Sequence, residues 1–181
     1  RMMIVGILGM QGDLEEHSEA TAHAMEKMAI SGGVDTIRSK DDLRGSDSLI
    51  ISGGESTTMW KLLKRTNLFS ELKSYGKPIF GTCAGMVLLS KSGKGDSRKT
   101  GQEFLGLLDA VVNRNAFGRQ SDSFTADVDF KGRQIPAGFI RAPVIDEVGK
   151  GVEVMSRYND KIVAARQGNI LVTSFHPELT D

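Results

Sequence analysis

Short apolar segments alternate with amphipathic stretches in the first half of the chain. Residues 3–8 and 47–52 are strand-like and run into glycine-containing loops, as buried parallel strands commonly do. Between them, apolar or small residues recur at helical spacing from Leu14, and residues 31–33 end that pattern. The chain therefore begins with alternating strands and helices.

The same order continues to about residue 90. Further elements are predicted as a strand at 34–38, helices around 59–63 and 69–72, a strand at 78–80 and a helix at 84–90. Repeated strand–helix order implies a mainly parallel sheet that is covered by helices on both faces. The polar segment 91–100 is interpreted as a surface loop.

After Gly93, strands follow strands. The strand-like segments are residues 111–112, 124–130, 139–140, 152–155, 162–164 and 170–175. We therefore expect an α/β fold: a three-layer αβα arrangement around a central, mainly parallel sheet with a mixed edge. A length of 181 residues suits one core, so a single domain over residues 1–181 is predicted.

Composition and charge narrow the class of protein. The 39% hydrophobic and 25% charged residues are typical of globular domains and exclude disordered and fibrous classes. Because 23 Lys and Arg balance 23 Asp and Glu, no nucleic-acid partner is expected. No apolar run is long enough for a membrane span, and a single cysteine cannot form a disulfide within the chain. Arg1 is interpreted as a processing remnant. We expect a cytoplasmic protein without a membrane partner.

The only cysteine lies in a glycine-framed turn. Cys83 stands between Gly81 and Gly85, after the strand at 78–80 and directly before a helix. A strand, a tight turn and a helix form a nucleophile elbow, and the positive end of the helix dipole favours the reactive thiolate. A lone cysteine is also often a small buried hydrophobic residue, and that alternative stays open on this motif alone.

One of the three histidines is placed to act as a base for Cys83. His176 closes the last predicted strand, where open α/β sheets hold functional groups, whereas His17 and His23 fall in the first helix and are interpreted as solvated or half-buried structural residues. Pro177 favours extended backbone, so Glu178 points to the same side as His176 and can orient it. The predicted triad is Cys83, His176 and Glu178.

Backbone donors for an oxyanion are predicted at two loops. The strand at 47–52 leads into Gly53 and Gly54, whose N–H groups a substrate can approach without steric hindrance. The N–H of Ala84, the residue after the nucleophile, is the natural second donor. We therefore predict an oxyanion site formed by Gly54 and Ala84.

Together these motifs carry a resemblance to a known family. The segments GTCAG at 81–85, SGGEST at 52–57 and SFHPE at 174–178 resemble the three signatures of class I, or triad, glutamine amidotransferases, which have a flavodoxin-like sheet. Narrower motifs are GILGMQG at 6–12, NAFGRQ at 115–120 and FIRAP at 139–143. With them, the chain is similar from Met3 onwards to the glutaminase subunits of pyridoxal 5'-phosphate synthases.

The resemblance implies a reaction and a set of site residues. Cys83 would attack the carboxamide of L-glutamine to form a glutamyl thioester, with His176 moving protons and Glu178 holding His176. The positions that the resemblance implies for glutamine binding are Gly54, Glu55, Ser56, Arg119, Ile140 and Arg141. The two arginines suit a ligand carboxylate, and Glu55 or backbone carbonyls suit its ammonium.

The resemblance also implies a partner. Ammonia would pass to a (β/α)8-barrel synthase subunit that makes pyridoxal 5'-phosphate, which is then a product and not a cofactor of this chain. No cofactor or metal is expected, and Asp127 and Asp129 are interpreted as solvated. Two departures from the family pattern are Ser52, where proline is usual, and an end at Asp181, where the family continues into a helix. We expect Ser52 to loosen the oxyanion loop, and the end at Asp181 to weaken contact with the synthase.

Three alternatives remain open. Related glutaminases feed ammonia to imidazole-glycerol phosphate, purine, pyrimidine or chorismate pathways. Arg119 and Arg141 are the residues that discriminate this chain from those glutaminases. A redox or stress sensor on a similar sheet would oxidise Cys83 and leave His176 without a role. A binding subunit with a decayed site is disfavoured by an intact triad.

Overall fold

The first half of the chain alternates strands and helices. The computed structural model describes residues 2–9, 13–53, 55–94, 100–114, 116–117 and 123–177. The first elements are β1 (Met3–Gly9), α1 (Asp13–Lys27), β2 (Gly32–Thr36), α2 (Lys40–Gly45), β3 (Ser48–Gly53), α3 (Ser56–Arg65), α4 (Leu68–Lys73), β4 (Ile79–Cys83) and α5 (Ala84–Leu89).

The second half consists of strands in its described parts. They are β5 (Ser90–Lys94), β6 (Leu108–Asn113), β7 (Ser123–Phe130), β8 (Arg133–Ile140), β9 (Val144–Val148), β10 (Glu153–Tyr158), β11 (Lys161–Gln167) and β12 (Ile170–Thr173). No helix in the described residues has both the length and the apolar character that crossing a membrane requires.

The strands pair into one large mixed sheet. Over the described residues it has ten strands in the order β2-β1-β3-β4-β12-β11-β9-β6-β5, with β10 beside β11, while β7 and β8 form a separate two-stranded sheet. Pairing is parallel from β2 to β12 and between β5 and β6, and antiparallel among the strands between them. Helices flank this sheet, so the predicted α/β class with a mainly parallel, mixed-edge sheet is confirmed.

Two apolar clusters hold these layers together. The larger contains Ile51, Leu88 and Val172, and it forms where α5 packs against β3, β4 and β12. The smaller joins the β7–β8 sheet to β11 and includes Phe139 and Phe175, whose ring centroids lie 5.7 Å apart. The contact between these two rings therefore holds the end of β8 against the segment that follows β12.

Some predicted elements differ from the structure. The prediction of a surface loop at 91–100 is wrong over the first residues of that segment. Strand β5 pairs there in parallel with β6 at the sheet edge, where lysine side chains are tolerated. Residues 95–99 lie outside the described residues. His17 is 3% exposed, so the expectation that it is solvated or half-buried is also wrong; helix α1 packs it inward. His23 is exposed, as expected.

The sequence interpretation also missed a helix and a strand. Helix α2 is short, yet Ser39 and Asp42 form a capping box at its start, with the Ser39 hydroxyl accepting from the Asp42 N–H and the Asp42 carboxylate accepting from the Ser39 N–H. Strand β9 was missed because its sequence, VIDEV, is only partly apolar and follows Pro143 directly. Neither element disturbs the order of the strands that carry the predicted site.

Candidate active site

Cys83 occupies a strained turn between a strand and a helix. It is the last residue of β4, directly precedes α5, and has φ 51° and ψ −105°. Positive φ at a non-glycine residue costs about 1–3 kcal/mol and persists where the surroundings over-determine it, often at functional sites. With a side chain only 5% exposed, Cys83 has the backbone of the predicted nucleophile elbow.

The two flanking glycines permit close packing around this turn. A Cβ on Gly85 would overlap the carbonyl oxygen of Ile51 and lie 2.9 Å from its carbonyl carbon. A Cβ on Gly81 would lie 2.5 Å from Leu89 Cδ1 and 2.9 Å from the Gly85 carbonyl carbon. Both positions therefore need glycine so that α5 can approach β3 and β4.

The sheet brings the other predicted segments to the same edge. Cys83 pairs with Gly53 on β3, so the start of the oxyanion loop lies beside the nucleophile. On its other side β4 pairs with β12, with Thr82 opposite Thr173, and the chain after β12 leads to His176. The carboxyl ends of parallel strands thus collect Cys83, Gly53 and His176 at one edge.

Strand β8 contacts both predicted catalytic residues. The Cys83 thiol donates to the carbonyl oxygen of Ile140, with Sγ and O 3.9 Å apart. The backbone N–H of His176 donates to the carbonyl of Gly138 at 2.8 Å, and the His176 side chain is buried. A single strand end therefore positions the nucleophile and the proposed base.

A cleft of about 540 Å³ opens at Cys83. Among the described residues, its lining includes predicted site residues at the ends of several strands and helices: Glu55, Ser56, Cys83, Ala84 and Arg141. The remaining lining residues are Thr57, Val87, Thr100, Arg114 and Pro143.

Arg141 has a second strained backbone conformation at this site, with φ 44°. The residue before it, Ile140, is 43% exposed. Three predicted residues, Gly54, Arg119 and Glu178, lie outside the described residues.

Glu55 combines the roles of helix cap and fixed charge. It is the N-cap of α3, where its carboxylate accepts from the N–H groups of Thr57 and Thr58. Burial raises the pKa of the Glu55 carboxyl, but hydrogen bonds from the Thr58 hydroxyl and these N–H groups outweigh burial and lower the pKa to about 2. The ionised Glu55 carboxylate therefore stabilises the fold fully above pH 4.5, the ordinary pKa of a glutamate. This stabilisation is lost as the pH falls through about 2.

Two polar residues of the site were not predicted from the sequence. Arg114 lines the cleft and forms an ion pair with Glu55, with Nη2 and Oε1 2.9 Å apart. Gln102 is 7% exposed and accepts hydrogen bonds from Ser56 and Thr57. Arg114 directly precedes the NAFGRQ segment, which was a usable signal, whereas nothing in the local sequence marks Gln102.

Ser52 makes a buried contact at the base of the oxyanion loop. Its hydroxyl accepts a hydrogen bond of 2.8 Å from the hydroxyl of Thr82, and both side chains are fully buried. The bond joins the residue before Gly53 to the residue before Cys83. This contact favours a fixed loop base, in contrast to the looser loop expected from the departure at Ser52.

We expect Ser52→Ala to destabilise the protein by about 1–3 kcal/mol, because the Thr82 hydroxyl would be left buried without its acceptor. The double variant Ser52→Ala/Thr82→Val removes both hydroxyls, and we expect it to be less destabilised than the sum of the single variants. Urea unfolding of the four proteins measures this coupling. Additive effects would contradict a stabilising hydroxyl pair.

No cluster of His, Cys, Asp and Glu within the described parts of the chain is arranged to bind a metal ion. Asp127 and Asp129 lie on the exposed face of β7, in agreement with their interpretation as solvated residues.

Comparison with known proteins agrees with this geometry. A family model described as the SNO glutamine amidotransferase family matches residues 7–181. A protein of Archaeoglobus fulgidus, named pyridoxal 5'-phosphate synthase subunit PdxT, is 50% identical over 99% of this chain and 92% of its own length. The protein of the same name in Oceanobacillus iheyensis is 48% identical over 98% of this chain and 86% of its own.

Solved structures show the same fold. A structure described as a glutamine amidotransferase has a TM-score of 0.83 and 42% identity, and the match covers 97% of this chain and 91% of that one. A putative GMP synthase subunit from Thermoplasma acidophilum, with a TM-score of 0.65 over 98% of this chain and 85% of that one, is 15% identical and shares the fold alone. The strand–turn–helix at Cys83, the sheet and the matched sequence lead to one conclusion: the chain belongs to the SNO glutamine amidotransferase family.

Proposed function

We propose that this chain is the glutaminase subunit of a pyridoxal 5'-phosphate synthase, which hydrolyses L-glutamine to glutamate and ammonia. The observation that carries the proposal is the strained Cys83 in the wall of a cleft that also holds charged side chains, in a member of a glutamine amidotransferase family. The pathway is supported by relatives that are 44–50% identical and bear the name of that synthase subunit.

The first half of the reaction forms a thioester. His176 accepts the thiol proton of Cys83 as the sulfur attacks the carboxamide carbon of glutamine, and the tetrahedral intermediate collapses as the C–N bond breaks. Protonated His176 gives its proton to the departing nitrogen, so that ammonia leaves and a glutamyl thioester remains. Glu178, two residues further along the chain, keeps the imidazole oriented for this transfer.

The second half releases glutamate. Neutral His176 accepts a proton from water as the water oxygen attacks the thioester carbonyl carbon. Collapse of the second intermediate breaks the C–S bond and releases glutamate, and His176 returns its proton to the Cys83 sulfur, which regenerates the thiol and the neutral imidazole. The net reaction consumes one glutamine and one water and yields one glutamate and one ammonia.

Backbone N–H groups stabilise the oxyanion of both intermediates. Ala84 is the first residue of α5, and the first N–H groups of a helix have no partner within the helix. Gly54 follows the strand residue that pairs with Cys83, and its N–H is the proposed second donor. Neither Gly53 nor Gly54 carries a side chain that could hinder the substrate on this side.

The cleft carries charges of both signs, as a zwitterionic amino acid requires. Arg141 lines it, and we assign Arg141 together with Arg119 to the substrate carboxylate. Glu55, Ser56 and the backbone near Ile140 are assigned to the ammonium end. The residues therefore match the two charged ends of L-glutamine.

The ammonia acceptor is proposed to be a (β/α)8-barrel synthase subunit in the cytoplasm, served by a single glutaminase domain over residues 1–181. Ammonia then passes from the cleft to the partner, and pyridoxal 5'-phosphate is the product of the complex. Ile140 is exposed and its carbonyl oxygen contacts the Cys83 thiol, so we propose that the partner meets the site at this residue.

The test measures glutamate release and pyridoxal 5'-phosphate formation by the chain with and without its synthase partner. We expect glutamate release that rises with the partner, and product formation from glutamine only when both are present. Ammonium chloride in place of glutamine is the control, since the partner alone should then form product. Product from ammonium but none from glutamine plus the chain would refute the proposal, and glutamate release unaffected by the partner would refute the pathway alone.

A further inference from the structure

Three buried hydroxyl side chains form a row across the sheet beside the site. Strands β3, β4 and β12 place Ser52, Thr82 and Thr173 opposite one another in register, and each is at most 3% exposed. Each member of this hydroxyl row lies within three residues of a segment that carries a proposed site group. Fully buried strand positions are normally apolar, because a buried hydroxyl costs free energy unless it is hydrogen-bonded.

The hydroxyl row lies outside the cleft. The described residues that line the cleft at Cys83 include no member of the row. A Cβ on Gly81 would meet Leu89 of α5, and side chains alternate along a strand, so Thr82 projects to the opposite face of the sheet. The row can therefore affect a substrate only through the segments that it holds.

One hydrogen bond of the row joins the start of the oxyanion loop to the nucleophile. The Thr82 hydroxyl, next to Cys83, donates at 2.8 Å to the hydroxyl of Ser52, next to Gly53. Proline, which is usual at position 52 in the family, would restrict the backbone through its ring. In this chain a hydrogen bond holds β3 against β4 at the same point.

Thr173 fixes one end of the peptide group that joins Phe175 to His176. Its hydroxyl donates to the Phe175 carbonyl oxygen at 2.8 Å. The N–H of the same peptide group, which belongs to His176, donates to the Gly138 carbonyl at 2.8 Å. A peptide group is planar, so hydrogen bonds at both ends set its orientation. That orientation sets the direction in which the buried His176 side chain leaves the backbone.

We propose that the hydroxyl row is a set of positioning residues for the reaction at Cys83. The pair of Ser52 and Thr82 sets the distance between the oxyanion loop and the sulfur. Thr173 sets the direction of the His176 imidazole. The inference rests on the proposed function, because it concerns the geometry of groups that this function assigns. A misplacement of about 1 Å can cost about 100-fold in rate, so loss of these bonds lowers turnover without weakening substrate binding.

The first test removes the hydroxyl pair in the complex with the synthase partner. For Ser52→Ala/Thr82→Val we expect kcat for glutamate release to fall about tenfold and KM to change less than about twofold. The double variant leaves neither hydroxyl buried without its partner, so its unfolding midpoint in urea should lie above that of Ser52→Ala. Alkylation of Cys83 by iodoacetamide, which forms no oxyanion, should keep its wild-type rate. A double variant that regains turnover together with stability would show a purely structural pair and overturn the inference.

The second test changes Thr173 in the same complex. Thr173→Val keeps the shape of the side chain but loses the donor, and we expect kcat to fall about tenfold with KM changed less than about twofold. Alkylation of Cys83 by iodoacetamide at pH 7 should fall as well, because His176 takes the thiol proton in both reactions. Thr173→Ser restores the hydroxyl and should recover at least about half of the wild-type kcat.

The matched control is Ser90→Ala. The Ser90 hydroxyl is fully buried and donates to the Met86 carbonyl at the same 2.8 Å, outside the described cleft lining. Its kcat should stay within about twofold of wild type. If the row variants match this control, or if Thr173→Ser recovers nothing over Thr173→Val, the inference is overturned.

Two smaller changes keep the test decisive if a valine variant does not fold. Ser52→Ala and Thr173→Ala then decide by the same kinetic and alkylation readouts. Failure of the proposed function would show differently, as a wild-type complex that releases no glutamate from glutamine, and the inference would fall with it. Wild-type turnover in the row variants would refute the positioning role alone.

Discussion

Replacing Cys83 with alanine is expected to lower glutamine hydrolysis by about 10⁴-fold or more, because loss of a covalent nucleophile removes the pathway through the acyl-enzyme. The substitution deletes one buried sulfur from a turn whose shape is fixed by its glycine neighbours. We therefore expect the protein to remain folded. Glutamate release and urea unfolding, measured on the same preparation, separate these two effects.

Two controls make the result specific. Cys83 is the only cysteine of the chain, so loss of labelling by a thiol reagent reports on this residue alone. The synthase partner mixed with Cys83→Ala should still form pyridoxal 5'-phosphate from ammonium chloride. Glutamate release within tenfold of wild type would exclude Cys83 as the nucleophile and would favour a sensor or binding role for it.

Gly85→Ala is expected to destabilise the protein by roughly 3 kcal/mol or more, which is at the upper end for overpacking in a core. The added Cβ would overlap the backbone carbonyl of Ile51, and a backbone atom cannot move aside as the end of a side chain can. Helix α5 would have to move away from β3 and take Cys83 with it. The unfolding midpoint in urea measures the loss of stability, and glutamate release should fall as well.

Gly45→Ala is the matched control for this prediction. A Cβ at Gly45 meets nothing within 4 Å, so its effect should stay within about 1 kcal/mol. Equal unfolding midpoints for Gly85→Ala and Gly45→Ala would show that the close contact between α5 and Ile51 is not required.

The features that could be predicted from sequence were those that neighbouring residues determine. Glycines two positions either side of Cys83, between an apolar strand and an apolar helix, were enough to predict the elbow that the structure contains. Helix α2 was equally local, and the Ser39–Asp42 capping signature marked it. It was missed because only Leu43 of this helix is buried and no apolar periodicity develops.

Other features depend on contacts between distant segments. Strand β5 is polar, and only its pairing with β6 makes it a strand. Gln102 meets Ser56 and Thr57 across more than forty residues, so no window of sequence shows that its amide oxygen has three donors. The fold class and the nucleophile could thus be predicted, whereas the polar support behind the cleft could not.

The position of β12 has a consequence for synthesis of the protein on the ribosome. Among the described residues this strand comes last in chain order, yet it lies in the interior of the sheet, beside β4. A nascent chain can pair β2, β1, β3 and β4 and shape the turn at Cys83 while β4 still has an open edge. Only insertion of β12 covers that edge and delivers His176. A chain interrupted before Ile170 therefore carries its proposed nucleophile without its proposed base, and we expect it to release no ammonia from glutamine until β12 is in place.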